Sequence, residues 1–375
     1  MKERRIKAAV PEGERHNDGD GGCENRSRPA WGRKEGPERR KMKRKVMAAL
    51  LAAGLAWAPS AVLPVSAAEA WTLPAAGIRM DMQTRQTYMN EKMEAFFHPR
   101  EGGPRPAAFA QPDGWTWERY SVNGAAAERL VNPDGKTGRV VLQLHGGGYV
   151  VPLTDGHRML AVRQAVLADA SQVILADYRV APEHTYPAAL DDAEAVYQDI
   201  LADGTKPENV IVIGDSAGGN LALALALRLK EEGKPQPGVL ILISPWATLA
   251  NDLPSRSENI PVDPVLALSP IYGSVVSPSY GGALDVKDPH LSPLYADLAG
   301  LPPMLIQTGG HELFLDESLA LAERAADCDV PVTVSVYQGM PHDFALVLPE
   351  LQESVDSFRQ IRDFVESRMS GGEEA

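Results

Sequence analysis

From residue 139 onward the chain alternates short, uninterrupted apolar runs with longer segments of helical period. The runs are 139–144, 172–176, 209–213, 239–243, 304–307 and 332–336, each rich in Val, Ile, Leu or Met. A strand reads as a continuous apolar run when both of its faces are covered, as in a parallel sheet held between helix layers. Helical stretches fall at 159–170, 188–202, 220–227, 316–327 and 350–369, and Pro187 stands where the second of them opens. The last stretch puts Leu351, Val355, Phe358, Ile361 and Val365 on one face, which predicts packing against the sheet. Such alternation predicts an α/β fold class, with a mostly parallel central sheet and helices on both faces.

Two segments depart from this rhythm. Residues 246–292 are dense in Pro, Ser, Gly and Asn, and an insertion that long beside the functional end of an α/β sheet predicts a functional role. Residues 78–98 carry Met82, Met89, Met93, Phe96 and Phe97 near helical spacing, which predicts an amphipathic helix. A Pro- and Gly-rich loop follows, as far as Gly114. The division expected is an N-terminal cap or lid region over 69–135 and a catalytic domain over 136–371.

The 375 residues are 44% apolar and 23% charged, ordinary for a globular protein with a sizeable core. Charge is unevenly spread. Residues 1–67 hold 15 Lys and Arg against 8 Asp and Glu, a surplus of seven that leaves the remainder at −20 of a total of −13. A body so acidic repels phosphate backbones and anionic lipid, which excludes nucleic acid and membrane surfaces as partners. The basic end has the layout of a secretory signal peptide over 42–68: Lys43-Arg44-Lys45, an apolar stretch from Ala48 to Trp57, then Val65-Ser66-Ala67-Ala68. The apolar stretch is short for a bilayer span and is soon broken by Pro59 and Pro64, so no stable span is expected after processing. Residues 1–41 do not fit a signal peptide and are read as a misassigned leader ahead of a start at Met42. These features predict an exported protein, periplasmic or extracellular. Only two cysteines occur, Cys23 and Cys328, too few for a disulfide framework or a zinc-finger spacing.

The chemistry concentrates in three places. Gly214-Asp215-Ser216-Ala217-Gly218-Gly219 lies between the 209–213 run and a helix-forming stretch, the setting in which a Gly-x-Ser-x-Gly turn projects its serine above the sheet. His145-Gly146-Gly147-Gly148-Tyr149 follows another run, and three glycines let backbone amides turn toward an oxyanion without a side chain between. His145 itself is expected to bond backbone and shape this loop. On this type of sheet the serine, acid and histidine occur in that order along the chain. His342, in the loop between the last run and the last helix, is the expected base, with His290 and His311 as ordinary loop residues. Glu312 is favoured as the acid because it lies nearer the end of the 304–307 run. Asp316 is the alternative, although its place suits the first turn of the following helix.

Together with Asp177-Tyr178-Arg179-Val180-Ala181-Pro182-Glu183, Tyr186-Pro187-Ala188 and Ser292-Pro293-Leu294-Tyr295-Ala296-Asp297, these motifs resemble the hormone-sensitive-lipase-like esterases, also called bacterial family IV. The likeness covers about residues 138–369 and implies an α/β-hydrolase fold with a small helical cap. It implies oxyanion donors at the amides of Gly147, Gly148 and Ala217, and a structural ion pair or bend role for Arg179 and Glu183. One departure stands out: many members carry Asp-Pro-Leu where this chain has Glu312-Leu313-Phe314. The activity implied is that of an exported serine carboxylesterase acting on short- to medium-chain acyl or aryl esters, with no metal and no organic cofactor. A lactonase, amidase or acyltransferase would use the same residues, and a non-catalytic binding protein on this fold is the rival from another class. A homodimer is compatible with the resemblance.

Overall fold

The central strands fold as they do because their side chains alternate between two apolar layers. In β3 (Val140–Leu144), Val140, Leu142 and Leu144 enter one buried cluster while Val141 enters the other. The same split recurs in β5 (Val210–Asp215), with Val210 and Val212 against Ile211 and Ile213, and in β6 (Val239–Ile243), with Leu240 and Leu242 against Val239, Ile241 and Ile243. Both faces are dry, so most positions of these strands select an apolar side chain; the buried exceptions are Gln143 of β3 and Asp215 of β5, which bond each other. The structure is a computed structural model and describes residues 75–99, 108–135 and 138–369. The expected leader over 1–41 and the expected signal peptide over 42–68 lie outside the described residues. Among the described residues, no helix is long and apolar enough to cross a membrane.

The sheet has eight strands. With β1 (Thr116–Val122), β2 (Ala125–Val131), β4 (Gln172–Asp177), β7 (Met304–Gly309) and β8 (Val332–Tyr337), the spatial order is β1-β2-β4-β3-β5-β6-β7-β8. Pairing is parallel from β4 through β8 and antiparallel for β1 with β2 and β2 with β4. The hairpin β1–β2 is thus part of the sheet, although it falls inside the 69–135 stretch expected to form a cap. Before β4 comes α2 (Asp155–Leu167), after it α3 (Ala188–Ala202), and after β5 α4 (Ala217–Glu231). The predicted cap helix is α1 (Met82–Phe97).

Helix α1 is tied to the far end of the chain. Ile78 bridges to Leu351, Arg85 pairs with Glu353, and both Tyr88 Oη (2.7 Å) and Lys92 Nζ (2.6 Å) donate to Glu350 Oε1. Met89 and Met93 are buried, but Met82 and Phe96 are 57% and 51% exposed. Seven residues from Met89, each shares its face; the helix ends simply overhang what the middle covers. The stretch 246–292 holds three short helices, α5 (Ser255–Glu258), α6 (Pro264–Ala267) and α7 (Tyr272–Val276). Helix α8 (Leu315–Asp327) follows β7, and α9 (Phe344–Val347) and α10 (Gln352–Met369) follow β8. Leu351, Val355, Phe358, Ile361 and Val365 are all fully buried, as the helical period predicts.

Candidate active site

Strand β5 ends at Asp215 and α4 begins at Ala217, which leaves Ser216 alone to reverse the chain. Its backbone sits at φ 53°, ψ −118°, a region a non-glycine residue occupies only under constraint. The constraint is visible: Ser216 N donates to Ile243 O (2.9 Å), and Trp246 N donates to Ser216 O (2.9 Å). A Cβ on Gly218 would lie 1.9 Å from Leu144 O, so α4 approaches β3 only because this residue has no side chain. The sharp turn at Ser216 therefore depends on a glycine two residues on.

Ser216, only 4% exposed, meets the imidazole predicted for it: His342 Nε2 lies 2.9 Å from Ser216 Oγ. His342 hangs from the β8–α9 loop, and Phe314 packs edge-on against its ring at 4.7 Å. Nε2 also lies 3.1 Å from Asp343 Oδ2, so two oxygens compete for that nitrogen. On the other side of the ring, Nδ1 is 3.8 Å from Glu312 Oε2, within ion-pair reach but longer than a hydrogen bond. Such contacts are often long before substrate arrives.

Glu312 is fully buried. Ser244 Oγ donates to its Oε2 at 2.6 Å and Thr308 Oγ1 donates to its Oε1. Ser244 Oγ in turn accepts from Asp343 N (3.1 Å), which couples the two loops. Burial pushes the Glu312 carboxyl up to about 8, opposed by the His342 charge and by the two hydroxyls. Burial lowers His342 from 6.5 against the pull of Glu312, Asp263 and Asp215. The Ser244 and Thr308 hydroxyls and the His342 ring favour the charged carboxylate against that burial, so the attraction between the two groups is greatest when the imidazole takes a proton.

Asp316 is elsewhere. Its Oδ2 accepts from Ser255 N (2.8 Å) in the first turn of α8, and no contact joins it to His342. Of the two candidate acids, only Glu312 is brought to the imidazole. His311 Nδ1 faces Gln86 Oε1 at 3.0 Å, and His290 lies on the surface beside Asp288.

Gly147 and Gly148 take φ +108° and +61°, and Gly146 before them lies against Asp215 and Ser216 of the elbow. Ala217 is the first residue of α4, and an amide there has no partner within its helix. His145 Nδ1–H donates to Gly146 O (2.8 Å), and its ring stacks on Tyr178 at 4.1 Å. Burial lowers its pKa to about 4, so it is a neutral brace for the glycine loop. Arg179 pairs not with Glu183 but with Asp192 of α3 (Nη2 to Oδ1, 2.8 Å), because Asp192 is buried beneath it while Glu183 is exposed.

The sequence reading missed four residues. Asp215 joins the elbow to the glycine loop, accepting from Gly146 N (2.9 Å) and Gln143 Nε2 (3.2 Å). Ser244 and Thr308 hold Glu312, and Asp343 touches His342. Asp215 and Asp343 flank Ser216 and His342 and could have been noticed; Ser244 and Thr308 carry no sequence signal. Among the described residues, no group of three or more His, Cys, Asp and Glu side chains is arranged to hold a metal ion. A hydroxyl against an imidazole, with a carboxylate behind it and a glycine loop beside it, can carry out nucleophilic attack on an acyl carbon.

Comparison with known proteins agrees with the geometry. Residues 141–346 match the model of a family described as having the alpha/beta hydrolase fold. An acetyl-hydrolase of Streptomyces hygroscopicus is 35% identical over 285 residues, spanning 72% of this chain and 92% of its own. An esterase of Acinetobacter venetianus is 37% identical over 229 residues, 61% of this chain and 75% of its own. The crystal structure of an esterase from the bacterial hormone-sensitive lipase family superposes with a TM-score of 0.67 at 32% identity, covering 78% of this chain and 99% of that one. The chain therefore belongs to the α/β-hydrolase family, in its hormone-sensitive-lipase-like (family IV) branch, and is a carboxylic ester hydrolase.

Proposed function

We propose that the protein is an exported serine carboxylesterase that cleaves short- to medium-chain acyl or aryl esters through an acyl-enzyme. Ser216 attacks the ester carbonyl while His342 Nε2 takes its proton. Glu312 sets the imidazole tautomer through Nδ1 and stabilises the cation. The negative oxygen is met by the amides of Gly147, Gly148 and Ala217, each worth about 3 kcal/mol in sites of this kind. His342 passes the proton to the leaving alcohol, then activates the water that releases the acid. No metal or organic cofactor takes part. The observation that carries this reading is the 2.9 Å contact between Ser216 Oγ and His342 Nε2 at a strained strand-to-helix turn.

The preference for uncharged esters rests on the apolar side chains of the 78–98 stretch, Met82, Met89, Met93, Phe96 and Phe97. Export rests on the basic, apolar and small-residue order of 42–68.

A series of p-nitrophenyl esters of rising chain length tests the substrate class. Highest kcat/KM is expected between acetate and octanoate, with a fall beyond; an optimum at palmitate, or turnover of anilides above esters, would refute the assignment. The pH profile is a second test. Because burial lowers His342, the imidazole stays an active base to lower pH, so the acid limb of kcat/KM should have its midpoint below 6.5. A midpoint above 7 would contradict the description of His342.

A further inference from the structure

The 246–292 stretch carries a fully buried acid, Asp263, that reaches both loops of the site. Its Oδ2 accepts from Leu313 N at 2.9 Å, the residue directly after Glu312. Its Oδ1 accepts from His342 N at 3.3 Å and from Leu266 N at 3.4 Å, the latter capping α6. Asn259 completes the arrangement. Its Nδ2 donates to Glu312 O at 2.8 Å, and its own carbonyl accepts from Asp263 N at 2.9 Å. The peptide unit between Glu312 and Leu313 is therefore held at both ends, its carbonyl by Asn259 and its N–H by Asp263.

We infer that Asp263 is a positioning residue for the Glu312–His342 pair: it joins the backbones of the acid and base loops and sets a carboxylate near the imidazole. The inference rests on the serine-esterase reading and adds a residue to it. Three backbone N–H groups converge on this side chain, and a carboxylate accepts all of them at once. An amide in its place would turn its own N–H₂ toward one of these donors. Burial pushes the Asp263 carboxyl up, and the His342 charge and the three N–H groups oppose that by favouring the carboxylate. Its charge favours the cationic form of His342, which arises in both steps of the reaction. The imidazole faces other charged groups from each element around it. They are Glu312 from the β7–α8 loop, Asp215 at the end of β5, Asp343 in its own loop, and Arg256 of α5, whose charge opposes theirs. Asp263 differs from the other carboxylates in bonding the backbone of both loops.

The test compares wild-type protein with Asp263→Asn and Asn259→Ala on p-nitrophenyl butyrate, measuring kcat, KM, the pH dependence of kcat/KM and the thermal midpoint. Asp263→Asn removes a charge that favours the imidazolium, so His342 should lose its proton at lower pH. The expected result is a kcat lower by about tenfold or more with KM nearly unchanged. The acid limb should also move down by about half a pH unit or more. Asn259→Ala keeps the charge and should lower kcat without moving that limb. A folded Asp263→Asn protein whose limb stays in place, or whose kcat is retained, overturns the inference. Should Asp263→Asn not fold, Asn259→Ala decides: a lower kcat at unchanged KM supports the clamp, and an unchanged kcat overturns it. A wild type that takes no fluorophosphonate label would instead overturn the serine-hydrolase reading, and the positioning role would fall with it.

Discussion

Ser216→Ala should lower kcat toward esters by about five to six orders of magnitude while leaving the thermal midpoint close to that of the wild type. The size follows from the loss of the only atom that can form the acyl-enzyme. Glycine amides and substrate binding remain, so a residual rate of roughly 10³-fold over water is expected from them. Folding should survive because, among the described residues, Ser216 Oγ bonds only to His342, whereas the strained turn is held by its backbone bonds to Ile243 and Trp246 and by the packing of Gly218. Relieving a hydroxyl from a buried site of this kind can even stabilise a protein slightly. Steady-state kinetics and a melting curve on the same preparation check both halves. A variant within about tenfold of wild type would mean that Ser216 is not the nucleophile.

The second large effect separates the two acids. Glu312→Ala should reduce kcat by roughly 10⁴-fold, the order seen when the carboxylate behind a catalytic imidazole is neutralised. Asp316→Ala should leave kcat within about tenfold and lower stability by about 1–2 kcal/mol, the cost of leaving Ser255 N without its acceptor. The reasoning is geometric. Glu312 Oε2 is 3.8 Å from His342 Nδ1, with Ser244 and Thr308 holding it there, while Asp316 is committed to the amide of Ser255. Reversal of the two results would move the acid to the helix terminus and contradict the arrangement described.

How far the sequence could be read depends on how local the cause was. The central strands were legible because burial on both faces leaves an unbroken apolar signature, and the 188–202 helix falls where its pattern places it. The serine turn was legible because its cause is steric and lies within five residues: glycines where side chains would strike backbone. The β1–β2 hairpin was not read, since edge strands such as Thr116–Val122 mix charged and aromatic residues on a half-exposed surface. A signal for it did exist. Asn123-Gly124 forms the two-residue turn with φ +50° and +90°, the pairing that such hairpins favour. Between Glu312 and Asp316 the sequence left two options, because spacing along a loop does not show which carboxylate faces inward. Asp263 was out of reach altogether: its partners Leu313 and His342 lie 50 and 79 residues away, and only the folded insertion brings them together.

The central claim is that the hydroxyl of Ser216 is activated by His342 for attack on an acyl carbon. Intact-mass analysis after incubation with a fluorophosphonate, followed by peptide mapping, tests it most directly. One adduct per chain on the peptide containing Ser216, absent from Ser216→Ala and strongly slowed in His342→Ala, is the result predicted. A wild-type protein that stays unlabelled, or a Ser216→Ala protein that still takes the adduct, would contradict it.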